Sequence, residues 1–197
     1  KRLLLYPGVS IFPDEATVAS LDLTAASHLH TSCFGSAAYS LVQRARDAGM
    51  TWSIDLEPAT FAGSIEVVAD VLDGADVVFV NDRAAEAIGP NPLQCLRSLG
   101  VKSIVRTRGP LGAELHTGDT VIAARLPAGL PIIDTTGAGD CLAGWFLSGC
   151  AAGWSRATAL GRAVNAATFS CGRVGAQTGY PTLEDIQNFP IKTEEIA

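Results

Sequence analysis

Asp134-Thr135-Thr136-Gly137-Ala138-Gly139-Asp140 runs directly into Cys141-Leu142-Ala143-Gly144-Trp145-Phe146-Leu147, and this junction decides how the chain is read. The first seven residues are turn formers, with two glycines that let the backbone approach a ligand closely. The stretch that follows is apolar and reads as a helix. The first turn of a helix carries N–H groups without intrahelical partners, so an anion can settle there. Asp140 falls in that turn. A carboxylate at this position complements the helix dipole, and it can equally serve as a base beside a bound anion. The motif alone leaves both readings open.

Phosphoryl transfer to a hydroxyl asks for this pairing: donors for the phosphate, and a base within reach of the attacking oxygen. Other glycine motifs do not fit. The dinucleotide fingerprint would need glycine at Leu142, and no Gly-Lys-Ser/Thr ending or Gly-x-Ser-x-Gly elbow is present.

Composition narrows the classes further. With 197 residues, 48% hydrophobic and 17% charged, the chain reads as a single globular domain over residues 1–197. A net charge of −6 without a Lys/Arg cluster argues against a nucleic-acid surface. The apolar runs are too short for a bilayer, and no charged n-region with a full-length h-region opens the chain. The expected location is therefore the cytoplasm, and the expected partners are small molecules. The five cysteines show no CxxC or Cys/His ligand spacing, so each reads as a small buried hydrophobe in a reducing compartment. His28 and His30 alternate with Leu29 in a predicted strand and His116 lies in a predicted hairpin; none is assigned to chemistry or to a metal.

Short apolar runs alternate with helical patterns, the signature of an α/β chain with a largely parallel sheet. Strands are predicted over residues 28–33, 51–55, 76–80 and 101–106, and helices over 36–48, 65–72 and 93–99. A hairpin follows over 112–116 and 120–125, then helices over 139–152 and 155–170, with Ser155 as an N-cap. Asp55, Asn81, Thr107 and Asp134 fall at predicted carboxyl ends of strands, the edge where ligands bind in open parallel sheets. The chain opens on Lys1 rather than Met, and residues 2–6 already read as a strand, so a processed or truncated piece is expected.

With DTTGAGD, with Thr107-Arg108-Gly109-Pro110-Leu111-Gly112-Ala113 as a TxGxxGA segment, and with Arg173-Val174-Gly175-Ala176-Gln177 near the end, the chain resembles the ribokinase-like carbohydrate kinases of the PfkB family. The resemblance implies a three-layer α/β/α sandwich with a mostly parallel sheet. The family's N-terminal strands, its substrate-contacting segment and most of its β lid are not visible in this chain. It also implies transfer of the ATP γ-phosphoryl group to a hydroxyl of a sugar or keto-sugar acid, with Mg²⁺. Asp140 is then the base, with the backbone N–H groups of Gly137, Ala138 and Gly139 as an anion hole. By the same likeness Thr107, Gly109 and Gly112 approach the nucleotide, and Asn165 lies on its adenine side. A monovalent cation such as K⁺ would sit near Asp134, Thr136, Ser170, Arg173 and Gly175.

The sequence departs from the pattern at three places. Asn81 begins an NxxE motif that arranges Mg²⁺ through water, but its glutamate position is Ala84. Glu86 lies two residues on, a rotation of about 200° around a helix, so it does not stand in. Gly179 replaces a serine that some members offer to the cation. The missing N-terminal segment removes most residues that would name the sugar. A nucleoside kinase of the same fold and a non-catalytic nucleotide-binding or assembly subunit are the alternatives, and a homodimer is one possible assembly.

Overall fold

In the computed structural model, which describes residues 14–196, Asp14 accepts the Thr17 amide at 2.9 Å and caps α1 (Glu15–Ser20). The strand expected over residues 2–6 lies outside the described residues. There follow β1 (His28–Ser32), α2 (Ser36–Asp47), β2 (Thr51–Leu56), 3₁₀ turns at Pro58–Phe61 and Ile65–Val68, and α3 (Ala69–Leu72). Next come β3 (Val77–Asn81), α4 (Asp82–Ile88), α5 (Pro92–Ser98), β4 (Ser103–Thr107), a 3₁₀ turn at Gly109–Leu111, β5 (Ala113–Thr117) and β6 (Thr120–Ala124). The chain closes with α6 (Ala138–Ala151), α7 (Arg156–Ser170), α8 (Leu183–Ile186) and β7 (Thr193–Ile196). The fold is the expected α/β class. Its strands form a mixed sheet in the order β1-β2-β3-β4-β5-β6-β7, parallel between β1 and β2 and antiparallel from β4 to β7.

Among the described residues two compact units can be told apart, one holding residues 14–78 together with Arg83–Lys102, the other Phe79–Asp82 together with residues 103–196. In the first, α2 buries Ala37, Ala38, Val42 and Ala45 and packs on β1 and β2. These small and branched side chains let the helix lie close to the strands. The Trp52 indole N–H donates to the Val71 carbonyl at 2.9 Å, and the Arg46 guanidinium lies 5.0 Å over the Trp52 ring. The two histidines of β1 are tied to β2: His28 Nε2 and His30 Nδ1 each lie 2.8 Å from the hydroxyl of buried Ser53. That bonding gives both histidines a structural task.

In the second unit α6 packs along α7, and Phe79 meets Phe146 edge to face at 5.9 Å. The β5–β6 turn pairs Thr117 with Thr120, as the Gly118-Asp119 dipeptide predicts. Ser155 caps α7 through the Thr158 amide at 3.1 Å.

Two expectations need correcting. Residues 65–72 form a 3₁₀ turn and a short helix rather than one helix, because Val68 leaves the helical region at φ −107°, ψ 11°. Asp134 does not end a strand: after β6 no strand is found before α6. Pro127 and Pro131 remove two amide donors from that stretch, and the Ile133 and Asp134 amides both turn to the Cys171 carbonyl, at 2.7 and 3.1 Å.

Candidate functional site

The site forms within the second unit, where two turns need glycine. Gly112 has φ +91°, and a side chain there would run into the Ala124 carbonyl oxygen; glycine lets the segment after β4 fold back beside β6. Gly137 is left-handed, at φ 79° and ψ 0°. A Cβ on it would strike the Ala176 carbonyl and lie 3.0 Å from the Tyr180 hydroxyl. The Cys141 amide donates to the Gly137 carbonyl at 2.9 Å, which closes the first turn of α6. The Ala138 amide reaches the Thr135 carbonyl only at 3.4 Å, a long bond that a stronger acceptor can replace. Asp140 is exposed on this turn.

Asp134 braces the turn. One carboxylate oxygen accepts the Thr136 amide at 2.9 Å and its hydroxyl at 2.7 Å; the other accepts the Gly175 amide at 3.0 Å. Tyr180 donates its hydroxyl to the Gly137 carbonyl at 3.2 Å. Burial raises the Tyr180 phenol above its usual range, and the charge of Asp140 adds to this. Burial likewise pushes the Cys141 thiol up to about 11, so it is no nucleophile at neutral pH.

Beside the turn lies a cavity of about 260 Å³. It brings together Thr107, Gly109 and Gly112 from the β4–β5 connection with Ala138 and Gly139 from α6. Sequence reasoning missed its apolar walls, chiefly Pro110, Leu126, Ile132, Leu142, Val164 and Cys171. Val164, Ala167, Thr168 and Cys171 repeat at the spacing of one helix face, and that periodicity was the available signal. The cavity is an apolar slot that meets the first turn of α6, on which Asp140 is exposed.

Other predicted residues fall elsewhere. Asn165 is buried, and its amide donates to the Pro190 carbonyl at 3.3 Å; it does not line the cavity, being about 100° around α7 from Val164. Asn81 ends β3 and is half-buried. Ala84 is fully buried whereas Glu86 is exposed, so Glu86 does point away from the position of the absent carboxylate. Of the positions tied to a cation, Asp134, Thr136 and Gly175 are in direct contact. The Ser170 hydroxyl donates instead to Ala167, at 2.8 Å, and Arg173 to the Thr178 carbonyl, at 3.4 Å. A side chain at Gly179 would strike the Ser170 carbonyl, so this backbone path has no room for serine. Among the described residues no cluster of three or more His, Cys, Asp or Glu side chains could hold a metal, and no helix is long and apolar enough to cross a membrane.

The family model described as pfkB family carbohydrate kinase matches residues 10–183, which takes in both glycine turns and Asp140. The chain belongs to the pfkB carbohydrate kinase family. Within the family it is 31% identical over 166 residues to the ATP-dependent ribose-1-phosphate kinase of Halopiger xanaduensis, covering 83% of this chain and 54% of that protein. It is 29% identical over 120 residues to the ribokinase of Lactococcus lactis, covering 60% of this chain and 39% of that protein. The chain thus spans about half the length, or less, of these pfkB relatives. The crystal structure of ribokinase from Thermotoga maritima superposes with a TM-score of 0.74 at 21% identity, covering 86% of this chain and 59% of that one. At that identity the likeness bears on the fold, and it agrees with an α/β sandwich.

Proposed function

We propose that the protein transfers the γ-phosphoryl group of ATP to a hydroxyl of a sugar or keto-sugar acid. The observation that carries this reading is the left-handed Gly137, which starts α6 at the cavity wall and leaves Asp140 exposed on its first turn. Asp140 takes the proton of the acceptor hydroxyl as its oxygen attacks the γ-phosphorus. The bond from that phosphorus to the bridging oxygen breaks, and ADP leaves. The backbone N–H groups of Gly137, Ala138 and Gly139 stabilise the charge on the transferring group. Thr107, Gly109 and Gly112 lie along the nucleotide, with the base against the apolar walls. Asn165, committed to Pro190, supports the wall from behind.

Mg²⁺ bound to the nucleotide phosphates would neutralise charge on them, with Asn81 as its protein-side partner through water. For K⁺ the fitting donors are the carbonyl oxygens of the loops around Asp134, Thr136, Ser170, Arg173 and Gly175, because the Asp134 carboxylate is already bonded on both oxygens. Replacing potassium by choline at constant ionic strength tests that assignment.

The names of the curated relatives support a ribose-based acceptor. A nucleoside acceptor is the second reading, favoured by the same fold in an aminoimidazole riboside kinase from Salmonella enterica. The exposed Asp140 argues against a non-catalytic subunit, since a retired site has no need of the base. An ATP-coupled assay over ribose, ribose 1-phosphate, fructose, 2-keto-3-deoxygluconate and nucleosides tests the proposal. Turnover with one sugar or sugar acid is expected. Turnover confined to nucleosides selects the second reading, and ATP binding without turnover on any acceptor contradicts both. A cytoplasmic location and a homodimer complete the proposal; light scattering tests the latter.

A further inference from the structure

We propose that Tyr180 is a positioning residue of this site: by holding the Gly137 carbonyl, its hydroxyl aims the Ala138 amide at the bound phosphate. The inference rests on the function proposed above. It starts from the peptide between Gly137 and Ala138. That unit is planar and trans, so its C=O and N–H point in opposite directions, and fixing one fixes the other. The Gly137 carbonyl receives two donors, the Cys141 amide at 2.9 Å from inside α6 and the Tyr180 hydroxyl at 3.2 Å from the segment after α7. The helix bond alone leaves the start of α6 free to fray, as first turns do. The second donor comes from a segment that is itself anchored. The Tyr180 amide bonds the Gln177 carbonyl at 3.1 Å, Gly175 bonds Asp134, and Gly179 packs so closely on the Ser170 carbonyl that no side chain fits.

Tyr180 also suits the task chemically. Its phenol stays protonated, and thus a donor, because burial and then the nearby charge of Asp140 oppose its ionisation. At 40% exposure the ring is not a core residue, so packing alone does not account for its place beside Gly137. An alanine or leucine here would leave the Gly137 carbonyl with the helix bond only.

The test measures binding of ATP and of AMP by calorimetry to the wild type, Tyr180→Phe and Tyr180→Leu. AMP keeps the base and ribose but lacks the outer phosphates. One neutral hydrogen bond corresponds to a change of about 2- to 10-fold, so both variants should bind ATP weaker by that factor. AMP affinity should stay at the wild-type value. Unchanged ATP affinity in Tyr180→Phe overturns the proposal, as does an equal loss for ATP and AMP, or a loss in Tyr180→Leu alone, which would mark a packing role. A wild type that binds neither nucleotide sinks the underlying site reading instead.

Discussion

The Asp134 carboxylate accepts the Gly175 amide at 3.0 Å across 41 positions of chain, and with its other oxygen it holds Thr136, one residue before the left-handed glycine. The loop before α6 and the loop after α7 are therefore one mechanical piece. Ile133 and Asp134 strengthen it from the backbone through the Cys171 carbonyl.

Asp134→Asn keeps the shape but presents an N–H₂ group to one of these backbone donors. Hydrogen bonds to a charged group contribute about 1.5–3 kcal/mol, and a loss of that order is expected in urea unfolding. ATP affinity should fall as well, since the anion turn loses its brace. A midpoint and an affinity both equal to the wild type would show that the brace is idle.

Gly137→Ala forces a Cβ into the left-handed region and against the Ala176 carbonyl. Backbone strain of this kind costs about 1–3 kcal/mol, before the collision is counted. Thermal unfolding should show a lower midpoint, and nucleotide binding should weaken more than in Asp134→Asn. An undisturbed alanine variant would mean that the turn is not held in this conformation.

Glu114 gives the acid limb of stability a definite sign. Burial resists its ionisation, but the Arg108 guanidinium at 2.6 Å and His116 at 3.2 Å outweigh that and hold the carboxyl below its ordinary 4.5. The folded state therefore binds the proton less readily than the unfolded chain. The stabilisation is complete above pH 4.5 and is lost as pH falls through the lower folded value. Glu114→Gln should be less stable than the wild type at neutral pH, with the gap closing in acid. A gap that does not vary with pH would refute the coupling.

Ala84 is fully buried, so restoring the family's glutamate there by Ala84→Glu puts a carboxylate where none is solvated. Lower thermal stability is expected. A variant as stable as the wild type would show that the pocket around position 84 is open.

Much of this was legible in the chain. The Gly118-Asp119 turn is flanked by Thr117 and by Thr120-Val121-Ile122, all good β formers, so the hairpin declares itself locally. DTTGAGD is legible for the same reason: glycine and the helix start are neighbours in sequence. β7 was not foreseen, because Thr193-Glu194-Glu195-Ile196 is a strand only by pairing with β6, where Glu194 also meets Arg125 at 2.9 Å. That Asn165 faces Pro190 and not the cavity was not legible, because residue identity does not tell which face of α7 a side chain takes. The expected strand end at Asp134 failed because two prolines and a distant carbonyl, Cys171, set that path.

The most direct test compares wild type and Asp140→Asn for ATP-dependent phosphorylation and for ADP binding. The variant keeps the shape of the side chain but cannot accept the hydroxyl proton. Loss of a general base corresponds to about 10²–10⁴ in rate, so turnover should fall by that factor while ADP affinity stays within twofold or so. An Asp140→Asn enzyme that turns over within a few-fold of the wild type would contradict the account.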